Sequence, residues 1–169
     1  MLNVQPSIGS RIEDIITPAL LIDLDALERN FRVIAETYSG EACKMRQHAK
    51  NIKSPIVLQR QIDIGGTLGG VCAAKVAEAE VMIHAGIKDV LITSQIVGKD
   101  KLERLAGLAK IADVKVCVDQ VDNLRELSKV ATSIGSKVGV LIEVDTSMGR
   151  AGVRSEEEGV ILADRKSVV

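Results

Sequence analysis

Aromatic residues are almost absent from this sequence. Its 169 residues include one Tyr, one Phe and no Trp, and their formal net charge is −1. Proteins that bind single-stranded nucleic acid stack bases on aromatic side chains, and a near-neutral chain has little electrostatic attraction to nucleic acid or to an anionic membrane. The composition therefore predicts a small-molecule partner, with no nucleic acid and no membrane.

Cysteine is also scarce, and long apolar runs are lacking. Cys43, Cys72 and Cys117 are odd in number and far apart, which argues against a disulfide framework or a metal cluster and favours a reducing compartment. No apolar run reaches the ~20 residues that a membrane-spanning helix needs, and the N-terminus lacks the pattern of a secretory signal. We therefore predict a soluble, cytoplasmic protein.

Short apolar runs alternate with segments of helical periodicity. The runs predicted as buried strands are residues 19–23, 42–46, 69–73, 89–93, 114–118 and 138–144. A helix is predicted after each, and the capping-box pairs Asp25–Glu28 and Asp100–Glu103 mark two of the helix starts. This alternation indicates either a (β/α) barrel or a doubly wound open sheet. We favour an α/β fold of the (β/α)8 TIM-barrel type, truncated after about six βα units, because a complete barrel needs eight units and about 250 residues.

Polar residues cluster at the carboxyl ends of the predicted strands, where a barrel places its active site. They are Asp23, His48, Lys50, Lys75, Thr93, Gln95, Asp119, Glu143, Asp145 and Arg150. Each also has a simpler explanation, because loops are solvated and therefore polar. Lys50 is the strongest candidate, since a lysine whose amine is partly desolvated at the mouth of such a fold can form a Schiff base. His48, two residues earlier, joins it as a site candidate.

The segment after the last predicted strand carries two carboxylates and an arginine. Glu143 and Asp145 are two residues apart and so point to the same side of a strand, where they either serve acid–base chemistry or balance the charge of Arg150. We favour the balancing role. The glycine-bearing loop around Arg150 lets the backbone approach a ligand closely, and the guanidinium offers a planar fork for an anionic oxygen or a carboxylate.

Five segments, in this order, resemble one enzyme family. They are residues 17–30 (TPALLIDLDALERN), 46–55 (RQHAKNIKSP), 71–80 (VCAAKVAEAE), 93–98 (TSQIVG) and 143–152 (EVDTSMGRAG). Together they are similar to the N-terminal part of the D-threonine aldolase and D-serine dehydratase group, which belongs to the alanine racemase-like, fold type III enzymes that use pyridoxal 5'-phosphate (PLP).

The resemblance implies a site and a reaction. PLP would be held as an aldimine on Lys50, the catalytic residue, and Arg150 would lie near the phenolic oxygen of the cofactor. His48 and Gln95 match further cofactor-binding positions. The implied activity is that of a lyase acting on β-hydroxy D-amino acids, by aldol cleavage or dehydration. A PLP homeostasis or carrier protein and an amino-acid racemase are the alternatives. Ile52 stands where many members have histidine, which leaves the particular reaction open.

The resemblance also implies a domain organisation. Residues 1–17 are expected to form an N-terminal arm and residues 18–163 a partial PLP-binding barrel, whereas residues 164–169 break the helical pattern and are expected to be a non-native tail. A C-terminal β domain, with the divalent-metal site of aldolases and dehydratases, is expected to be missing, so that no metal ligands lie in this chain. We expect the full-length protein to be a homodimer and the 169-residue chain to be inactive by itself.

Overall fold

Helices and strands alternate along the chain. The structure is a computed structural model that describes residues 6–165. The helices are α1 (Leu24–Thr37), α2 (Ala49–Ile52), α3 (Pro55–Ile64), α4 (Val76–His84), α5 (Lys99–Leu108), α6 (Val121–Ile134) and α7 (Glu156–Arg165), and the strands are β1 (Met45–His48), β2 (Thr67–Ala73), β3 (Asp89–Ile92), β4 (Asp113–Val118) and β5 (Gly139–Ile142). In addition, a single 3-10 turn covers Ile12–Asp14 in the exposed part of the predicted arm.

The strands form one parallel sheet in the order β1-β2-β3-β4-β5. Each strand is therefore followed by a helix and then by its neighbour in the sheet, which is the connection that parallel strands require. The predicted α/β class is confirmed. The described residues contain five strands, however, where the sequence predicted six.

The predicted strand at residues 19–23 is wrong. These residues have no regular structure, and Leu20 is fully exposed. A strand needs a neighbour for its N–H and C=O groups, but β1 pairs only with β2 in the described part of the chain. The last residue of the segment, Asp23, is the N-cap of α1, and its carboxylate accepts a hydrogen bond from the Ala26 N–H at 2.9 Å. Asp23 therefore begins α1, where the sequence had placed the cap at Asp25.

The start of α5 also differs from the prediction. Its N-cap is Gly98, which has no side chain to accept a hydrogen bond, so Asp100 lies inside the first turn. A carboxylate there still interacts favourably with the positive end of the helix dipole. In α3 the prediction is confirmed, because Pro55 occupies the first turn and the helix ends at Ile64 before Gly65. Pro is tolerated there because the first N–H groups of a helix have no intrahelical partner.

Alternate residues of the three central strands form the core. Side chains two residues apart lie on one face of a strand, and those on the helix-covered face are at most 1% exposed: Val71, Ala73, Val90, Ile92, Val114, Val116 and Val118. Fully buried residues of the covering helices include Met82, Leu102, Leu105, Leu124 and Leu127. Burying each Leu or Met side chain contributes roughly 1.5–3 kcal/mol, so this layer dominates the stability of the fold.

The opposite face of the sheet carries charges near the start of the strands. Arg46 Nη2 donates to Asp89 Oδ2 at 2.7 Å, and Lys115 Nζ donates to Asp89 Oδ1 at 3.0 Å. Although burial raises the pKa of Asp89, the hydrogen bonds from Arg46 and Lys115 hold it below its ordinary value. Gly70 of β2 leaves room for this cluster, because a Cβ atom there would lie 2.5 Å from Arg46 Nη1 and 2.6 Å from Asp89 Cγ.

Two predicted segments lie at the ends of the chain, the N-terminal arm and the non-native tail. Helix α7 runs through Glu156–Arg165, so the helical pattern continues past the predicted boundary at residue 163. Residues 1–5 of the predicted arm and residues 166–169 of the predicted tail lie outside the described residues. Within the described part of the chain, every helix is too short or too polar to cross a membrane.

Candidate active site

A cavity lies at the carboxyl ends of the strands. Its volume is about 340 Å³. It is lined by His48, Lys50, Ala74, Thr93, Ser94, Gln95, Glu143, Arg150 and Ala151. The four residues that the sequence singled out therefore come together in one cavity although they lie at or beyond the ends of three different strands: His48, Lys50, Gln95 and Arg150. Of the other polar residues predicted at strand ends, Asp23 caps α1 and Lys75 is the N-cap of α4.

Lys50 reaches the cavity from α2, a helix of four residues that the sequence did not predict. Ala49 is completely buried and anchors this helix to the core. The C-cap of the helix is Lys53, which adopts a left-handed conformation. The Lys53 Nζ lies 3.4 Å from Glu78 Oε1. Lys50 itself is exposed, and within residues 6–164 no hydrogen bond or ion pair involves its amine. A short, anchored helix thus presents an unpaired primary amine to the cavity.

His48 is held on both sides of its ring. It is the N-cap of α2, where Nδ1 accepts a hydrogen bond from the Lys50 N–H at 3.2 Å. Its Nε2 lies 3.1 Å from Thr93 Oγ1, and the Thr93 hydroxyl donates to the Ala73 carbonyl at 3.3 Å. Burial, and next the charge of Lys50, lower the pKa of His48, whereas the charge of Glu78 opposes them. The lowered pKa favours the neutral form of the ring.

The loop that carries Arg150 is closed by backbone pairing at its base. Val144 and Val153 form a parallel bridge, and the Asp145 N–H donates to the Val153 carbonyl at 2.9 Å. Gly152 lies just inside this closure with φ +103°, and a Cβ atom there would lie 2.5 Å from the Asp145 nitrogen. Glycine is required at this position because both the backbone conformation and the available space exclude a side chain.

Two carboxylates hold the interior of the same loop. Asp119 Oδ2 accepts a hydrogen bond from the Gly152 N–H at 3.0 Å, and Asp145 Oδ1 accepts one from the Gly149 N–H at 3.0 Å. Hydrogen bonds from backbone N–H groups to a carboxylate are stronger than those between neutral groups. The loop is thus held at three points around the residue that points to the cavity.

The two carboxylates expected to balance Arg150 have other partners. Gln95 Nε2 donates to Glu143 Oε2 at 2.6 Å, and Asp145 Oδ2 lies 3.7 Å from Arg154 Nε. Among the described residues no hydrogen bond or ion pair involves the Arg150 guanidinium. The expected balancing is therefore not what the structure shows, and the guanidinium is available to a ligand.

The charged side chains around the cavity favour an anion. Lys50 and Arg150 each contribute a positive charge and Glu143 contributes one negative charge, while the lowered pKa of His48 favours its neutral form. The cavity has a positive excess, and both of these cationic groups lack partners within residues 6–164. A planar guanidinium and a free ammonium suit phosphate, phenolate or carboxylate oxygens.

The family of the chain is shown by its sequence. Residues 22–167 match the family described as "Alanine racemase, N-terminal domain". The chain belongs to this family. Its members are PLP-dependent enzymes, so the match implies PLP as the cofactor and confirms the resemblance and the barrel type of the fold.

Three known proteins describe the relationship more closely. The chain is 43% identical over 156 residues to a 3-hydroxy-D-aspartate aldolase of Paracoccus denitrificans, covering 92% of this chain and 40% of the relative. It is 36% identical over 155 residues to a D-threonine aldolase of an Arthrobacter species, with the same coverage of both chains. The crystal structure of D-threonine aldolase from Filomicrobium marinum superposes with a TM-score of 0.86 at 42% identity, covering 91% of this chain and 41% of that one.

The chain therefore spans about two-fifths of the length of these relatives. Relatives of this family include aldolases and a dehydratase that act on D-amino acids. No group of three or more His, Cys, Asp or Glu side chains within the described residues is arranged to hold a metal ion.

The residues around the cavity fit PLP. The cofactor needs a primary amine for its carbonyl carbon, and Lys50 offers one without a competing partner in the described chain. It also needs donors for its anionic oxygens, which Arg150 and the Ser94 hydroxyl provide. The volume of about 340 Å³ lies in the range of roughly 300–1,000 Å³ that ligand sites usually have.

Sequence reasoning missed part of this lining. Ser94, Ala74 and Ala151 were not identified as site residues, and Thr93 was noted only as a polar residue at a strand end. A signal for the two hydroxyl residues was present, because they directly follow a buried strand and directly precede Gln95. Ala74 and Ala151 have no chemical signal, since only the shape of the cavity selects them.

Cys117 offers a test of the electrostatics around Glu143, which lines the cavity. Burial, followed by the negative charges of Glu143 and Asp119, raises its thiol pKa to about 11. The reactive species is the thiolate, so we expect iodoacetamide at pH 8 to label Cys117 at least ~100-fold more slowly than the exposed Cys43, and the Cys117 rate to rise about tenfold per pH unit below its pKa. Peptide mass spectrometry over time measures both rates. Equal rates at pH 8 would contradict the raised pKa.

Proposed function

We propose that this chain supplies the cofactor-lysine part of a PLP-dependent lyase that acts on β-hydroxy D-amino acids. The observation that carries the proposal is the unpaired Lys50 amine in a polar cavity shared with Arg150. The identity of 43% to a 3-hydroxy-D-aspartate aldolase and of 36% to a D-threonine aldolase supports the reaction class. The two alternatives that the sequence left open, a carrier protein and a racemase, are less favoured, because the identity to an alanine racemase of Clostridium perfringens is lower, at 29% over 141 residues.

Lys50 has two roles in this proposal. Its amine is the group that would hold PLP covalently in the resting enzyme, and it would become available for proton transfer once the substrate is bound. The released amine then lies next to the reacting carbons and can move a proton at the α-carbon or at the β-hydroxyl. PLP, when bound, supplies an electron sink for the charge that develops at the α-carbon.

Arg150 orients the ligands. A guanidinium with no partner in residues 6–164 can hold the phenolic oxygen of the cofactor and the carboxylate of the substrate by charge-assisted hydrogen bonds. The loop held by Asp119 and Asp145 places this group before the substrate arrives, so little ordering accompanies binding. Gln95, hydrogen-bonded to Glu143, presents its remaining amide atoms to the same cavity.

The same residues serve either of two reactions. In aldol cleavage the β-hydroxyl loses its proton, the bond between the α- and β-carbons breaks, and the products are glycine and an aldehyde. In dehydration the α-carbon loses its proton, the β-hydroxyl leaves as water, and the product hydrolyses to a 2-oxo acid and ammonia. The relatives include both types, so product analysis has to decide between them.

The test is covalent trapping. The full-length protein is incubated with PLP and reduced with borohydride, and its peptides are mapped. We expect one pyridoxyl group, on Lys50, with none on Lys53, three residues further along, or on Lys75, because neither lines the cavity. A label on another lysine instead of Lys50 would refute the assignment.

The substrate class is tested on the same protein. D-threonine, 3-hydroxy-D-aspartate, D-serine and D-alanine are supplied in turn, with and without divalent metal. Glycine plus aldehyde identifies an aldolase and 2-oxo acid plus ammonia a dehydratase, whereas L-alanine from D-alanine would replace the proposal with a racemase. The predicted homodimer, the cytoplasmic location and the inactivity of the 169-residue chain stay predictions.

A further inference from the structure

A chain of hydrogen bonds joins Lys50 to the ends of three neighbouring strands. The Lys50 N–H donates to Nδ1 of His48 at the end of β1, and Nε2 of His48 meets Thr93 Oγ1 directly after β3. The Thr93 hydroxyl reaches the carbonyl of Ala73, the last residue of β2. Both imidazole nitrogens are therefore hydrogen-bonded to protein groups, although the ring borders the cavity.

The contacts determine which nitrogen carries the proton. A backbone N–H can only donate, so Nδ1 has to present its lone pair to Lys50. The neutral ring then carries its proton on Nε2, which donates to Thr93, and the Thr93 hydroxyl donates onward to the Ala73 carbonyl. A doubly protonated ring would break the bond to Lys50, because two donors would face each other.

We propose that His48 is a positioning residue, which in its neutral Nε2–H form holds the Lys50 backbone at the start of α2, and that it neither binds the cofactor nor transfers a proton. The inference rests on the proposed role of Lys50. Helix α2 has only four residues, too few to be stable without external contacts, and the cap on the Lys50 N–H connects it to the sheet. A shift of about 1 Å in a reacting group can lower a rate by roughly 100-fold.

The first test reads the tautomer in the protein without cofactor. Nitrogen-15 NMR on histidine-labelled protein at pH 7 should show His48 with a bare Nδ1 and a protonated Nε2. His84 is an internal control, because its Nδ1 lies 2.8 Å from the Glu80 carbonyl, which can only accept; this contact requires the opposite tautomer. A His48 ring protonated on Nδ1, or on both nitrogens, would overturn the inference whatever the enzyme does.

The second test separates positioning from chemistry by two substitutions. Asn is a good N-cap but lacks imidazole acid–base chemistry, whereas Ala has no cap at all. We expect His48→Ala to slow borohydride-trappable labelling of Lys50 by PLP roughly 10- to 100-fold, and His48→Asn to restore the rate to within about threefold of the unsubstituted protein. Circular dichroism checks that both variants are folded.

The outcomes separate this inference from the proposed function. If the unsubstituted protein forms no adduct on Lys50, the proposed function fails, and the proposed role of His48, which rests on it, fails as well. If that adduct forms and His48→Ala forms it at the same rate, the inference alone fails. A His48→Asn variant that is folded but as slow as His48→Ala would also overturn it, because the imidazole would then contribute more than a cap.

Discussion

Lys50→Ala should abolish turnover, and of all single substitutions in this chain we expect it to have the largest effect on activity. In the proposed mechanism the alanine variant would lose both the covalent attachment of the cofactor and the amine that moves the substrate proton, since Lys50 is the lysine that lines the cavity. Removing a group that forms a covalent intermediate and also transfers protons lowers kcat by roughly 10⁴-fold or more. Release of aldehyde or 2-oxo acid from the best substrate measures the effect.

Lys53→Ala is the matched control for this substitution. Lys53 lies three residues further along, its side chain is 66% exposed, and it pairs with Glu78. The Glu78 side chain is only 14% exposed, but it keeps its hydrogen bond from the Ala74 N–H when the solvated Lys53 amine is removed. The loss should therefore cost about 1 kcal/mol or less, and we expect kcat within about threefold of the unsubstituted protein. A Lys50→Ala variant that kept more than about one hundredth of the activity would show that Lys50 is not the cofactor lysine.

Gly70→Ala should be the most damaging substitution for the fold. The added Cβ atom would overlap the Asp89 carbonyl oxygen and lie 2.5 Å from Arg46 Nη1. Backbone of β3 cannot move away without breaking the pairing of Val71 with Val90, and the Arg46–Asp89 ion pair would be displaced from a site where its side chains are mostly buried. Overpacking typically costs 1–3 kcal/mol and occasionally more, and we expect about 3 kcal/mol or more here because a charged pair is disturbed as well.

Gly69→Ala provides the control in the same strand. A Cβ atom at Gly69 would meet nothing within 4 Å. The free energy of unfolding of this variant should therefore lie within about 0.5 kcal/mol of that of the unsubstituted protein. Urea unfolding of both variants gives the comparison, and the Gly70→Ala midpoint should fall by roughly 1–3 M. Equal midpoints for the two variants would contradict the close approach of Gly70 to the Arg46–Asp89 pair.

Most of the regular elements could be predicted from sequence because their signals are local. The apolar runs around Val90, Val116 and Val140 correspond to strands, and Pro55 marks the start of α3 as predicted. The errors arose where the outcome depends on neighbours. Residues 19–23 have the composition of a strand but no strand beside them in the described chain, and α2 is too short to produce a periodic pattern.

The sequence predicted four residues that line the candidate site, but it did not predict the contacts that they make. His48, Lys50, Gln95 and Arg150 all line the cavity, and their segments are recognisable from sequence. The partners were not predicted: Glu143 was expected to balance Arg150 but accepts a hydrogen bond from Gln95. A carboxylate at a strand end can reach several neighbours, and only the register and curvature of the sheet select among them.

The sequence by itself therefore determined the α/β class and the family, and it predicted Lys50 as the candidate cofactor lysine, because periodicity and motifs are properties of short segments. Tertiary structure alone decided which polar groups meet. His48 and Thr93 are 45 residues apart, Gln95 and Glu143 are 48 apart, and Arg46 and Asp89 are 43 apart. The physical reason is that parallel neighbours are separated by at least one whole helical crossover, so each pairing depends on how the intervening helices pack and on the register that results.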